Sequence, residues 1–437
     1  MCKGNTNYNV SASVRFVSNM IRKGPYLMLE VLDKSKCSGC TACASICPKQ
    51  CINMKYDNEG FYYPFIDKTK CINCDLCTNA CPYHNDIKGR SNSMHVYGCQ
   101  NKDDSIRRDS TSGGMFAAIA DYVLSKDGAV YGVGYDENMH VIHKKICSFE
   151  QIREIQGSKY VQSDLGNAFS EIRKLLQNGK YVLFTGTPCQ VEGLYYYLKN
   201  IDLTKLLTVD IKCYGVPSSG LFDIFQQYLF ELYGSKVRKF YFRDKKYGYS
   251  GVNVKAELSN GKIIEDKLAL KTYSKTMFSK LGLRRSCYSC EFTTRKKLSD
   301  FTLGDIWTIE DYDSDMDDDK GTTCTEINTV KGQQIFDELV NSGAIRIVEM
   351  AELFGDKLEK YQSGLKRNYK LDESRRNAFF NEMDKLSYEE LMKKYFKDSL
   401  KNRIDNVGKP LLNLLPGSSI VFRKLKKRKA GKTKYLK

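Results

Sequence analysis

The sequence predicts an α+β protein in which a small cysteine-rich unit precedes an α/β unit with a partly parallel sheet and a helical C-terminal region. Three observations support this prediction. Two matched cysteine strings lie near the N terminus, helix and strand patterns alternate through the middle, and the chain becomes charged and helical after about residue 348. The length of 437 residues allows two or three domains.

The two cysteine strings have the same spacing, Cys-x2-Cys-x2-Cys-x3-Cys-Pro, and lie 34 residues apart. This spacing is typical of bacterial two-cluster ferredoxins, in which the fourth cysteine of each string binds the cluster of the other string. One 4Fe-4S cluster is therefore predicted to bind Cys37, Cys40, Cys43 and Cys81. The second is predicted to bind Cys71, Cys74, Cys77 and Cys47.

Two other uses of these cysteines fit the strings less well. A structural zinc site uses Cys-x2-Cys pairs but has no use for two matched four-cysteine strings ending in Cys-Pro. A secreted disulfide framework would follow a signal peptide, and the sequence predicts none before the strings. The 17 cysteines therefore favour a reducing, cytoplasmic environment.

The middle of the chain alternates helices and strands. Amphipathic patterns predict helices near residues 115–126, 167–179 and 191–199. Apolar runs predict strands near residues 129–135, 181–184 and 206–213. A strand, a helix and a second strand in succession imply a βαβ unit with parallel pairing and a right-handed crossover. Between the cysteine strings, residues 56–67 predict a hairpin.

Four further cysteines form a second candidate set. Cys189 and Cys213 follow consecutive predicted strands, so both are expected at the edge where α/β sheets bind ligands. Cys287-x2-Cys290 adds a pair with the spacing of metal ligands. Spacing alone leaves a third 4Fe-4S cluster, a zinc site and a redox disulfide open.

The net charge of +17 is concentrated at the C terminus. Nine basic residues fall within residues 423–437, and the rest of the chain carries +8. This tail is expected to be solvated, with at most peripheral membrane contact. No dedicated nucleic-acid binding is expected. No apolar run approaches the ~20 residues of a membrane helix.

Seven short motifs in the region 36–340 carry a family resemblance. In order they are TSGGMF, QGSKYVQS, FTGTPCQVEGL, KCYGVPS, SCYSCEF, SDFTLGDIW and DDDKGT. The region resembles the beta-subunit family of deazaflavin-coenzyme hydrogenases and dehydrogenases, in the bacterial branch with a fused N-terminal two-cluster ferredoxin domain. The resemblance implies an FAD site beside a 4Fe-4S cluster held by a set like Cys189, Cys213, Cys287 and Cys290.

The resemblance also suggests residues that contact the flavin. Ser112, Gly113 and Gly114 open a predicted helix, where glycines let a phosphate approach free backbone N–H groups. An ordinary serine N-cap is the alternative. The other implied contacts are Lys159, Tyr160, Thr185, Gly186, Thr187 and Gln190. No catalytic residue is assigned, and no G-x-G-x-x-G motif supports a nicotinamide-binding domain.

These predictions divide the chain into five segments. They are a leader (1–33), a two-cluster 4Fe-4S ferredoxin domain (34–88), an α/β FAD and iron–sulfur domain (93–345, with sub-parts at about 93–170 and 175–345), a helical region (346–422) and a basic tail (423–437).

The predicted function is that of an iron–sulfur flavoprotein oxidoreductase. A ferredoxin-like donor or redox partner subunit would supply single electrons through the clusters to FAD, which would reduce or oxidise a small organic substrate. The family that the chain resembles includes reductases of surface-polysaccharide pathways. The alternatives are a non-catalytic electron-transfer subunit and an iron–sulfur nucleic-acid-binding protein led by the basic tail.

Overall fold

The computed structural model describes residues 33–85, 90–251, 253–265, 267–294, 296–350 and 371–396. The predicted basic tail and all of the predicted leader except Asp33 lie outside these residues. Within them the predicted α+β class is confirmed, because a mixed sheet with parallel strands is combined with helices and a cysteine-rich N-terminal unit.

Strands and helices are numbered here in chain order within the described residues. The strands are β1 (Ile52–Tyr56), β2 (Tyr62–Ile66), β3 (Ser91–Asn92), β4 (His95–Asn101), β5 (Ala129–Tyr135), β6 (Val141–Ile146), β7 (Val182–Gly186), β8 (Leu206–Ile211), β9 (Val237–Asp244), β10 (Asn253–Leu258), β11 (Ile263–Glu265), β12 (Lys296–Lys297), β13 (Phe301–Ile306), β14 (Thr322–Ile327) and β15 (Ile345–Glu349). The helices are α1 (Ala42–Ile46), α2 (Leu76–Asn79), α3 (Asp104–Asp109), α4 (Met115–Leu124), α5 (Ile152–Ile155), α6 (Ala168–Gln177), α7 (Pro188–Tyr197), α8 (Ser219–Tyr233), α9 (Leu268–Phe278), α10 (Val330–Asn341), α11 (Glu373–Asn381) and α12 (Tyr388–Tyr395).

The central sheet has eight strands in the order β15-β4-β14-β13-β8-β7-β5-β6. Its middle strands β13, β8, β7 and β5 pair in parallel, whereas the outer pairs are antiparallel. The predicted βαβ unit is present as β7, α7 and β8, with Val182 opposite Leu206. The two predicted sub-parts, at about 93–170 and 175–345, both contribute strands to this one sheet.

The cysteine-rich unit shares a hydrophobic core with the rest of the chain. Its β1–β2 hairpin buries Phe61 and Tyr63 among aromatic side chains that include Phe222 from α8. The hairpin turn lies directly on the start of α8, where Gly220 N donates to Gly60 O at 3.3 Å. Gly60 has φ +73°, and a Cβ there would lie 2.6 Å from the Gly220 Cα, so only glycine fits.

A smaller antiparallel sheet, β11-β10-β9, packs with α8 and α9 beside the central sheet. Helices α11 and α12 add to the same core. Every helix among the residues that the structure describes is too short or too polar to span a bilayer.

Candidate redox site

The two cysteine strings fold into loops with matching backbone geometry. Gly39 and Thr41 in the first loop have positive φ, and so do Asn73 and Asp75 at the equivalent positions of the second. Because left-handed residues are uncommon outside glycine, their recurrence at the same two positions indicates one loop conformation used twice. Each loop then enters a helix of about one turn that carries the third cysteine, Cys43 in α1 and Cys77 in α2.

The four sulfurs predicted for the first cluster are close neighbours. Burial raises the pKa of the Cys40 thiol, and the nearby Cys81 and Cys37 thiols add to this rise. Burial likewise raises the pKa of Cys43, which lies near the same three cysteines. Four crowded, desolvated thiols ionise together only beside compensating positive charge. This donor set therefore fits an iron–sulfur cluster.

The cysteines predicted for the second cluster line one small cavity, together with Cys51. The residues are Cys47, Cys71, Cys74 and Cys77. The Cys51 sulfur lies 3.3 Å from that of Cys47. The second string has no counterpart of Cys51, so this thiol lies outside the predicted ligand sets. The structure buries it, at the edge of the predicted second cluster.

The second cysteine set lines a large cavity of about 980 Å³. All four of its members, Cys189, Cys213, Cys287 and Cys290, are in the cavity wall. Burial raises the pKa of Cys189 to about 11 and that of Cys287 to about 12, with Cys290 close to both. Gly215 N donates to the Cys213 sulfur at 3.4 Å, a contact of the kind that tunes cluster sulfurs.

Cys189 lies in the first turn of α7 instead of in a loop. The predicted strand at 181–184 and helix at 191–199 leave residues 185–190 as a connection, but β7 continues to Gly186 and the helix begins at Pro188. Proline is favoured at the first helical position, and Thr187 and Gln190 form a reciprocal capping box. Gln190, suggested as a flavin contact, is thus also a helix-capping residue.

The face of α7 that carries Cys189 also contacts the first cluster's loop. Gly193 is one turn after Cys189, and a Cβ at this position would lie 2.8 Å from the Cys40 sulfur. Cys40 and Cys189 are close enough to influence each other's ionisation. The first predicted cluster and the second cysteine set are therefore neighbours across one helix.

The suggested flavin contacts line the same cavity as the second cysteine set. The residues in its wall are Ser112, Gly114, Lys159, Tyr160, Thr185, Gly186, Thr187 and Gln190. Gly113 is the exception, since it packs against the sheet. A Cβ there would lie 2.1 Å from Cys99 O, so its glycine is needed for packing.

The N-terminus of α4 is open to the cavity. Gly114, and not Ser112, is the N-cap, and no side chain caps this helix. The Ser112 hydroxyl instead donates to Thr322 O at 2.7 Å. The interpretation of Ser112 as an ordinary serine N-cap is therefore wrong. Uncapped N–H groups at the start of a helix, beside Met115 and Phe116 in the cavity wall, fit a phosphate group.

Lys159 brings a perturbed ammonium group to the cavity. Burial, together with smaller contributions from Lys239 and Lys144, lowers its pKa to about 7. Its Nζ donates to Gln156 O at 2.9 Å. An anionic ligand in the cavity would reverse this shift by stabilising the charged form.

One wall of the cavity combines the SDFTLGDIW motif with Arg243, a residue that no sequence motif identified. Arg243 of β9 donates to Asp305 at 2.9 Å and lies 4.7 Å from the Trp307 ring. Trp307 stacks on Tyr249, with ring centroids 4.6 Å apart. Arg243 lies in β9 of the smaller sheet and Trp307 directly follows β13 of the central sheet, so no local sequence pattern links them.

Within the described residues, no three His, Cys, Asp or Glu side chains are arranged to hold a single metal ion. Four thiolates around a cubane bind four different irons, so this finding concerns mononuclear sites alone.

Comparisons with known proteins identify two regions. Residues 36–85 match the family model described as a 4Fe-4S dicluster domain. Residues 179–352 match the model that describes the C terminus of the beta subunit of Coenzyme F420 hydrogenase/dehydrogenase. The chain thus contains one region similar to each of these two family models. The resemblance drawn from the motifs is thereby confirmed.

The region that matches the beta-subunit model, residues 179–352, contains the second cysteine set and most of the cavity wall. Among solved structures, the chain is similar to one from the F420-reducing NiFe hydrogenase complex of Methanosarcina barkeri, with 17% identity and a TM-score of 0.42. The match covers 72% of this chain and 97% of that one. A search of curated proteins gave no match.

Proposed function

We propose that the protein is an iron–sulfur flavoprotein oxidoreductase of the reducing cytoplasm. Single electrons from a low-potential donor would pass through three 4Fe-4S clusters to FAD, for two-electron reduction or oxidation of a small organic substrate. Surface-polysaccharide biosynthesis is one setting that the family resemblance suggests. The 4Fe-4S dicluster domain and the beta-subunit region support the coarser redox role.

One observation carries this proposal. The second cysteine set and all the suggested flavin contacts except Gly113 line a single cavity, and Cys40 of the first predicted cluster lies beside Cys189. Clusters exchange one electron at a time and a flavin exchanges two, which is the reason to hold both in one chain.

The chain's own residues would bind and position these groups. Cys189, Cys213, Cys287 and Cys290 would hold the third cluster, and the α4 N-terminus would hold a flavin phosphate. Lys159 would place a positive charge beside the bound anion.

Anaerobic purification tests the proposal directly. Iron and sulfide counting with flavin extraction should give about twelve irons and one FAD per chain, since each cubane holds four irons. About eight irons without flavin would leave a two-cluster ferredoxin joined to a domain of other function. A colourless protein containing zinc would contradict the proposal as a whole.

A second candidate is a non-catalytic electron-transfer subunit. The description of the matched family as a beta subunit favours it. Tight copurification of a second protein, with no turnover by this chain alone, would support this candidate over the enzyme.

A further inference from the structure

The two predicted clusters of the N-terminal unit differ in their access to solvent. Cys40 and Cys43 are buried, and α7 covers their loop. The second loop lies at the surface, where Ile72 is 54% exposed and Cys71 and Cys74 are partly exposed. An electron carrier in solution therefore meets the second cluster first.

The surface around the second loop is basic with an apolar centre. Lys49, Lys68 and Lys70 are exposed at its rim, around Ile72 and Pro48. The nearby acidic residues are Asp67 on the preceding turn, which pairs with Lys70 at 3.3 Å, and Asp75 in the second loop. Both aspartates are partly buried, so the three lysines are the exposed charges. The cavity lined by the second cluster's cysteines is also lined by Pro48, Lys49 and Ile72.

We propose that this surface, named the entry surface and formed by Pro48, Lys49, Lys68, Lys70, Ile72 and Asn73, docks an acidic one-electron carrier protein. The inference rests on the proposed function and specifies where electrons enter. In each encounter the carrier loses one electron and is oxidised, and the second cluster gains that electron. No bond forms or breaks, and no proton transfer is required.

Charge complementarity selects this partner. A patch of lysines steers a carrier of opposite charge and raises the association rate by about 10- to 1,000-fold at low salt. The exposed Ile72 gives such a complex a small apolar contact at the point nearest the cluster. A basic carrier would be repelled by the same lysines.

The test compares wild-type holoprotein with the double variant Lys49→Glu/Lys70→Glu. The probes are a reduced acidic two-cluster ferredoxin and reduced methyl viologen, a small cation. Stopped-flow absorbance reports cluster reduction, and calorimetry with oxidised ferredoxin reports binding. A matched control, Lys199→Glu/Lys236→Glu, reverses two exposed lysines outside the entry surface.

We expect the entry-surface variant to react at least tenfold more slowly with ferredoxin at low salt, with weaker binding and a flatter salt dependence. Methyl viologen should reduce the entry-surface variant at least as fast as it reduces wild type, because this cation is attracted by the introduced glutamates. The control variant should behave like wild type with both probes.

Equal loss in both variants, or no loss in either, would overturn the inference. The inference would also be overturned if methyl viologen reduced the wild-type protein while ferredoxin neither bound nor reduced it. That result would leave the clusters and flavin of the proposed function intact. The proposed function fails separately, through a low iron count or missing flavin in the same preparations.

Discussion

The Arg284 guanidinium lies 3.6 Å from the Cys37 sulfur and is completely buried. Its Nε donates to Cys37 O at 2.7 Å, and a terminal nitrogen donates to Tyr62 O at 2.9 Å. The group also lies 4.1 Å above the Tyr63 ring. A permanent positive charge is thus fixed beside one ligand of the first predicted cluster.

Replacing Arg284 should make that cluster harder to reduce. A positive charge stabilises the added electron, and Coulomb's law at an effective dielectric of about 20 gives about 4–5 kcal/mol at 3.6 Å. This is an upper limit, because the cluster shares the electron among several atoms, and for one electron it corresponds to roughly 200 mV. Arg284→Gln should lower the first cluster's midpoint potential, by no more than this limit, in a redox titration followed by electron paramagnetic resonance.

The second cluster in the same molecule is the internal reference, and Arg284→Lys is the charge-conserving control. The lysine variant should recover most of the potential even where it loses stability. Equal shifts of both clusters, or a lysine variant as low as the glutamine one, would show that packing and not charge sets the potential.

The second cysteine set should account for one third of the bound iron. Cys290→Ser removes one of four thiolates, and we expect the iron count to fall from about twelve to about eight per chain. The spectrum of the remaining two clusters should be unchanged. Cys99→Ser, which alters a buried thiol outside every predicted ligand set, should keep all the iron. Full iron in Cys290→Ser would exclude this residue as a ligand.

Local spacing explains which parts of this molecule could be predicted. The cysteine strings and the β7-α7-β8 unit depend on residues close in sequence, and both are present. Arg284 could not be predicted as a neighbour of Cys37, because the two are 247 residues apart and only the tertiary fold joins them. The capping box at Thr187 was missed although its Thr-x-x-Gln pattern is local, because the glycine and proline around it suggested a loop.

A buried ion pair should anchor the C-terminal helices on the cysteine-rich unit. Both oxygens of Glu59, beside the hairpin turn, accept from Arg376 of α11, at 2.8 and 2.7 Å. Removing one partner of a buried pair costs about 3–5 kcal/mol when the other charge is left unpaired. Glu59 keeps a second partner in Arg285 at 3.3 Å, so Arg376→Met should reduce the free energy of unfolding by up to that amount in urea titrations of the holoprotein.

Arg375→Met is the matched control, since Arg375 is the adjacent residue on the same helix and is exposed. Arg375→Met should lower the free energy of unfolding by less than about 1 kcal/mol. Similar losses in the two variants would mean that the contribution comes from the helix as a whole and not from the pair with Glu59.

Lys159 should make flavin binding depend on pH. Because burial lowers its pKa to about 7, the side chain is largely protonated below pH 7 and largely neutral above it. A bound anion raises that pKa, so binding takes up a proton where the free side chain is neutral. The affinity of the flavin-depleted protein for FAD should therefore fall above pH 7, by up to about tenfold per pH unit.

Fluorescence titration of FAD between pH 6 and 9 measures this dependence. Lys159→Met should bind more weakly below pH 7 and lose the slope, whereas Lys159→Arg should stay charged and bind with little change across the range. Lys245 provides the competing explanation, because its pKa is also lowered to about 7 by burial and its Nζ donates to Ser112 O. A slope that persists in Lys159→Met and disappears in Lys245→Met would assign the pH dependence to Lys245 instead.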